Sequence, residues 1–209
     1  MEIDDVSAEI SGTSAELIEG DHYSVLQLLY GLMLPSGNDA ALALARWGGK
    51  VLGADYKHFI ALMNKFALEL GMKSSTFGNP HGLPHPNSAS TAEDLSILVA
   101  KCLDMPYFRE VIRCKLFKCW TENTGVRREV VWENTNKLLR RPGFEGVKTG
   151  VTVTAGPCLA SLYTVKDRTF IIILLRTSKM SRRFKETRWI LSLCLRRLNF
   201  DGNLANAIR

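Results

Sequence analysis

Leu34-Pro35-Ser36-Gly37-Asn38-Asp39-Ala40-Ala41 is the stretch on which the reading of this sequence turns. Pro35 disfavours helix in the residue before it. A helix patterned from Ser24 by Val25, Leu28, Leu29 and Leu32 should therefore end near Pro35. A second helix should start at Ser36, because Ser36 and Asp39 have the spacing of an N-terminal capping box. It should run through Asp39-Ala40-Ala41-Leu42-Ala43-Leu44-Ala45 and stop at Gly48-Gly49. A cap is a sufficient structural reason for Ser36. The second stretch of interest, Lys148-Thr149-Gly150, opens an apolar strand, and any strand could begin that way. Neither identifies a chemistry alone.

Outward from these two points the pattern is that of an α+β protein. Val6 to Glu19 reads as strand-like or turn-rich, with Ser11-Gly12-Thr13-Ser14 inside it. Phe59, Leu62, Met63, Phe66 and Leu70 recur at the 3.6 period of an amphipathic helix over Asp55 to Leu70, with Gly71 as its C-terminal stop. Asn79-Pro80-His81-Gly82-Leu83-Pro84-His85-Pro86 reads as loop. Ser90 or Thr91 should cap a helix to about Leu103, and a short helix should follow Pro106. Residues 115–133 read as an extended ribbon with charged tips. Gly146 to Val165 and Thr169 to Leu175 read as two strands joined by Lys166-Asp167-Arg168. A last helix, Ser181 to Leu198, should pack Phe184, Leu191, Cys194 or Leu195, and Leu198 on one side. A helical lobe, antiparallel strands and a closing helix make one domain over 1–209.

The 209 residues are 46% hydrophobic and 23% charged, which excludes disorder, collagen and coiled coil. The apolar run Phe170 to Leu175 is far too short to span a bilayer, so no transmembrane segment is expected. Met1-Glu2-Ile3-Asp4-Asp5 is acidic where a signal peptide needs a basic start, so no export signal is expected in this chain. The formal charge of +6 divides unevenly: residues 1–49 hold eight acids and one base, and the remainder thirteen acids and twenty-six bases. The basic pairs Arg127-Arg128, Arg140-Arg141, Arg182-Arg183 and Arg196-Arg197 come without an aromatic stacking platform or a recognised motif, so no nucleic-acid partner is expected. Cys102, Cys114, Cys119, Cys158 and Cys194 are odd in number and widely spaced. They suit free thiols in a reducing compartment better than a disulfide framework or a zinc site. His81 and His85 have metal-like spacing, but Pro80, Pro84 and Pro86 forbid the helix that would align them. Neither a metal nor a cofactor is expected.

Taken in order, the two motifs gain weight. Ser-x-Asn and Lys-Thr-Gly, with Ser-x-x-Lys, are the parts of penicillin-recognising serine enzymes. Leu34 to Ala41 closely resembles the second motif of the D-alanyl-D-alanine carboxypeptidases, the low-molecular-mass penicillin-binding proteins. Met63-Asn64-Lys65, Leu70-Gly71-Met72, Asn79-Pro80-His81-Gly82-Leu83 and Ser90-Thr91-Ala92-Glu93-Asp94-Leu95 match in the same order. Thr135-Asn136-Lys137-Leu138-Leu139, Gly146-Val147-Lys148-Thr149-Gly150-Val151-Thr152, Ala155-Gly156-Pro157-Cys158-Leu159 and Arg183-Phe184 complete the series. The resemblance implies a β-lactamase/transpeptidase-like fold and acyl transfer from a D-alanyl-D-alanine peptide to a serine. It implies that Ser36 relays protons to the leaving amine and that Asn38 holds the substrate amide. Lys148 would set a positive field, and Thr149 would bind the terminal carboxylate. Gly150 would let substrate lie along the strand, and the Val151 amide would supply half of an oxyanion hole.

The nucleophile motif of that family lies well upstream of Ser-Gly-Asn. Only 35 residues precede Ser36 here, without a lysine, and no serine or threonine anywhere in the 209 residues has a lysine three positions later. The resemblance therefore implies an incomplete fold that lacks its N-terminal strands, and a chain that is inactive by itself. Phe170 to Leu175, apolar on both faces like a central strand, should then need a protein partner to cover it. Three functions follow. One is a non-catalytic structural or interaction subunit. Another is part of a split or truncated carboxypeptidase whose Ser-x-x-Lys comes from another chain. The third is binding without turnover, such as recognition of a D-alanyl peptide by the Lys148-Thr149-Gly150 strand.

Overall fold

Local chemistry sets most of the helix boundaries. Ser24 accepts a hydrogen bond from the Gln27 amide while the Gln27 side chain accepts from the Ser24 amide, a reciprocal cap for α2 (Val25–Met33). Such a cap contributes about 1 kcal/mol. Asp55 caps α4 (Tyr56–Glu69) through the His58 amide, and Gly71 just beyond it takes φ +84°. Thr91, rather than Ser90, caps α5 (Ala92–Cys102), and Pro106 is the first residue of α6 (Pro106–Arg113). The computed structural model describes residues 1–200 and 202–208, so Asp201 and Arg209 of the domain expected over 1–209 lie outside the described residues.

The predicted capping box at Ser36 does not form. Helix α3 (Asn38–Val51) starts two residues later, with Gly37 as its N-cap and no side-chain cap bond. Ser36 sits in the left-handed region at φ +69°, which strains a residue with a Cβ. Asp39 turns inward instead, and its fully buried carboxylate accepts from the Ala15 and Leu17 amides and the Ser14 hydroxyl. Gly37 is required beside it, because a Cβ there would lie 2.6 Å from Asp39 Oδ1 and 2.8 Å from Ala15 Cβ. The helix also runs through Gly48-Gly49, where a stop was expected. The stretch read as strand-like from Val6 holds a single helical turn, α1 (Asp5–Ala8), then turns.

The ribbon is an antiparallel hairpin, β1 (Leu116–Asn123) with β2 (Val126–Glu133), pairing Leu116 with Glu133 through Asn123 with Val126. Its inner face joins α2 in a cluster of Tyr30, Phe117 and Trp132, with Tyr30 and Phe117 stacked at 3.9 Å. A 3-10 turn, Lys137–Arg140, leads to β3 (Phe144–Thr152), β4 (Gly156–Val165) and β5 (Arg168–Leu174). Gly146 to Val165 is thus two strands rather than one. The turn at 153–155 is masked in sequence by β-branched residues that read as continuous strand.

The sheet order is β3-β4-β5, all antiparallel. Its side chains alternate between two cores, as the period of two requires. Leu159, Tyr163, Phe170 and Ile172 pack with Leu191 and Leu195 of α7 (Arg182–Arg197) and with Ala205 and Ile208 of α8 (Gly202–Ile208). Leu162, Ala160, Ile171 and Ile173 face Val99 of α5 and Ile112 of α6. Both faces of β5 are therefore covered by the chain's own helices, and what stays open is its outer backbone edge, since among the described residues β5 pairs only with β4. Helix α8 was not foreseen, and Leu198, expected in the packed face of α7, is 47% exposed.

Candidate active site

Strand β3 and the loop before α3 bring the two motifs together. Lys148 Nζ donates to Ser36 Oγ at 2.5 Å and to the Thr149 carbonyl at 2.8 Å. The Ser36 backbone is clamped, because Thr13 Oγ1 donates to its carbonyl at 2.5 Å and the Gly37 amide donates to Gly31 at 3.1 Å. Asn38, buried one residue further on, donates from its side-chain amide to the Ser11 carbonyl at 2.9 Å. The Ser11 to Thr13 loop thus fixes the Ser36 backbone and the Asn38 side chain. Thr149 is buried, and its hydroxyl lies 2.6 Å from that of Thr135. Gly150 faces open space, with only Cys158 Cβ at 3.9 Å from where a Cβ would stand, and Val151 is half exposed beyond it. That is the clearance an extended peptide would need.

Two residues complete the cluster without having been singled out as site residues. Thr135 anchors Thr149 to the Leu34 carbonyl, which accepts from the Thr135 hydroxyl at 3.2 Å. Arg183, in the first turn of α7, is buried and donates to the Gly150 carbonyl at 2.9 Å and to the Cys158 carbonyl at 3.1 Å. It ties the backbones of β3 and β4 together at the place where the strand lies open. The sequence offers it only as the Arg183-Phe184 pair of the family series, with no sign of the carbonyls it reaches.

Burial of its amine, assisted by the Arg183 guanidinium, pulls Lys148 from the ordinary lysine value of 10.5 down to about 8. Burial disfavours the charged form, and a nearby cation does the same. Between about 8 and 10.5 the unfolded chain holds a proton that the folded chain has shed, so stability rises with pH across that window. Below about 8 both states are protonated and the cost of burying the charge is present in full. Urea unfolding midpoints at pH 7.5, 9 and 10 (roughly spanning that window) should rise for the wild type relative to Lys148→Met. Parallel profiles would refute this linkage.

His81 and His85 each accept a backbone amide at Nδ1, from Leu83 and Asn87 at 3.3 and 3.2 Å. These bonds engage the Nδ1 lone pairs within the loop. Among the described residues, no group of three or more His, Cys, Asp or Glu is placed to hold a metal ion, and no helix is long and apolar enough to cross a membrane.

Comparison with known proteins shows the family of the chain. Residues 4–178 match the family model described as D-alanyl-D-alanine carboxypeptidase. The chain is 36% identical over 185 residues to a D-alanyl-D-alanine carboxypeptidase of Streptomyces sp. (strain K15), covering 86% of this chain and 64% of that protein. It is 32% identical over 165 residues to the D-alanyl-D-alanine carboxypeptidase DacF of Bacillus subtilis (strain 168), covering 74% of this chain and 38% of the relative. The chain thus spans from under two fifths to just under two thirds of these relatives' length. The crystal structure of the Streptomyces K15 DD-transpeptidase superposes with a TM-score of 0.82 at 36% identity, over 87% of this chain and 73% of that one. The D-alanyl-D-alanine carboxypeptidase DacD from Francisella tularensis follows at TM-score 0.78 and 25% identity, over 89% and 55%. The α+β architecture matches the larger part of the DD-transpeptidase fold, and with the family model running across both motifs the chain belongs to the D-alanyl-D-alanine carboxypeptidase family.

Proposed function

We propose that these 209 residues form the substrate-holding and proton-relaying half of a serine-type D-alanyl-D-alanine carboxypeptidase site, and that by themselves they bind and dock without covalent turnover of D-alanyl peptides. The observation that carries this is the preformed contact between Lys148 and Ser36, in a chain with no serine or threonine followed three residues later by lysine. In this reading a D-alanyl-D-alanine peptide lies along β3 as an added strand, over the clearance at Gly150. Thr149 and the positive field of Lys148 meet its terminal carboxylate, and Asn38 holds its amide. The Val151 amide stabilises the developing oxyanion. Ser36 passes a proton to the departing D-alanine amine, with Lys148 orienting its hydroxyl.

The alternative is that a Ser-x-x-Lys from another stretch of polypeptide completes the site. The same contact favours it, since an idle pocket has no need of a lysine held at depressed pKa against a strained serine. The partner in either case is a polypeptide that pairs with the open edge of β5. Labelling with a fluorescent penicillin, on chain isolated natively with whatever co-purifies, separates the readings. No label on this chain is the expected result, and a labelled companion band would establish the completed enzyme. Label at this chain's own mass would overturn both.

A further inference from the structure

We propose that Ser36 and Lys148 form a serine–lysine dyad of their own, in which Ser36 is a nucleophile toward activated acyl esters. The inference goes beyond the reading above and needs no segment outside these residues. Ser36 Oγ and Lys148 Nζ are 2.5 Å apart, close enough for direct proton transfer, and Ser36 is only partly buried, so an acyl group has access to it. The second bond of Lys148, to the Thr149 carbonyl, stops the amine from swinging away. Strain marks the serine as well. A non-glycine residue at φ +69° persists only where its surroundings hold it, and here Thr13 Oγ1 and the Gly37 amide do so.

The groups around the amine suit a base. From α7, Arg183 is the charged neighbour that bears on it; α3 offers the neutral Asn38, and β4 places Ala160 opposite Lys148 and Cys158 two positions along. Above a pH of about 8 the amine is neutral and able to accept a proton. Ser36 Oγ then bonds to the acyl carbon, and its proton passes to Lys148 Nζ. The bond from the acyl carbon to the leaving oxygen breaks with its electron pair, and water later hydrolyses the Ser36 ester. The leaving group must be stable as an anion, as p-nitrophenolate is. An amide or lactam nitrogen, unlike p-nitrophenolate, must be protonated as it departs, and the one proton the dyad holds is that taken by Lys148, whose amine is tied to the Thr149 carbonyl. The dyad is therefore expected to act on activated esters and not on penicillin, and mapping of the acetyl adduct to Ser36 keeps this test distinct from the labelling experiment above.

The test is p-nitrophenyl acetate added to the full chain between pH 6.5 and 9.5 (roughly one and a half units either side of the lysine midpoint), with adducts located by peptide mass mapping. The expected adduct is a hydroxylamine-labile acetyl ester on Ser36, whose rate of formation climbs through pH 8 and then levels off. Lys148→Met should slow it roughly 100-fold, the lower end of what a positioned general base supplies. Ser36→Ala should abolish it. Ser36→Gly, which suits the left-handed backbone and so does not endanger folding, should do the same. A hydroxylamine-resistant amide on Lys148, labelling confined to cysteines or surface amines, or undiminished reaction of the Ser36→Gly chain would each overturn the dyad.

Discussion

Joined to a family segment that carries Ser-x-x-Lys, this chain should release D-alanine from an acyl-D-alanyl-D-alanine peptide on the order of a million-fold faster than the same fusion with that serine changed to alanine. The magnitude follows from what is already in place. Positioning, oxyanion stabilisation and proton relay leave only a small residual rate when the nucleophile is missing, because the groups act as a unit. Lys148 and Ser36 are already in contact, Thr149 is anchored through Thr135, and Arg183 holds the β3 and β4 carbonyls beside Gly150. These contacts form without the Ser-x-x-Lys segment. D-alanine release by the two fusions checks this directly. Equal rates would mean that the remaining site is no longer shaped for the substrate.

Asp39→Ala should lower the melting temperature by about 10 °C. The Asp39 carboxylate is fully buried and accepts the Ala15 amide at 2.8 and 2.9 Å, the Leu17 amide at 3.2 Å and the Ser14 hydroxyl at 2.6 Å. Alanine would strand these donors in the interior at about 1–3 kcal/mol each. A total of about 3–5 kcal/mol at about 2–4 °C per kcal/mol gives the shift for a chain of this size. The damage reaches the site as well, since Thr13, next to this segment, donates to the Ser36 carbonyl and accepts from the Asn38 amide. Asp39→Asn keeps one acceptor oxygen and should fall between the two. A melting temperature for Asp39→Ala indistinguishable from wild type would remove Asp39 as the organiser of this corner.

Asp39 also shows where sequence reasoning stops. The spacing of Ser36 and Asp39 fits a capping box, and nothing local contradicts it. The carboxylate goes elsewhere because residues 14–17 offer it buried amides, a partnership set by tertiary packing. Helices with a clean period and a strong stop were legible. Tyr56–Glu69 came within a residue of its reading, and Pro106 opened α6 as expected. The turn at 153–155 was overlooked because Val151 to Thr154 are β-branched and suit a strand, although Gly156, at φ +66°, and Pro157 directly after it mark a break. In the site, Ser36, Asn38, Lys148, Thr149, Gly150 and Val151 could be nominated from two short strings. Thr135 and Arg183 contribute through one hydroxyl and one guanidinium whose partners lie 14 and 33 residues away, and no short window displays such a pairing.

Among the described residues the outer edge of β5 is unpaired, and an unpaired edge is a template for an extended segment. A strand tethered to the same polypeptide competes at an effective concentration in the millimolar range. A second copy of the chain, or a separate partner, competes only at its own concentration. Tethering therefore decides the contest before association with anything else begins. Without it, the outcome depends on the order of synthesis and on relative abundance.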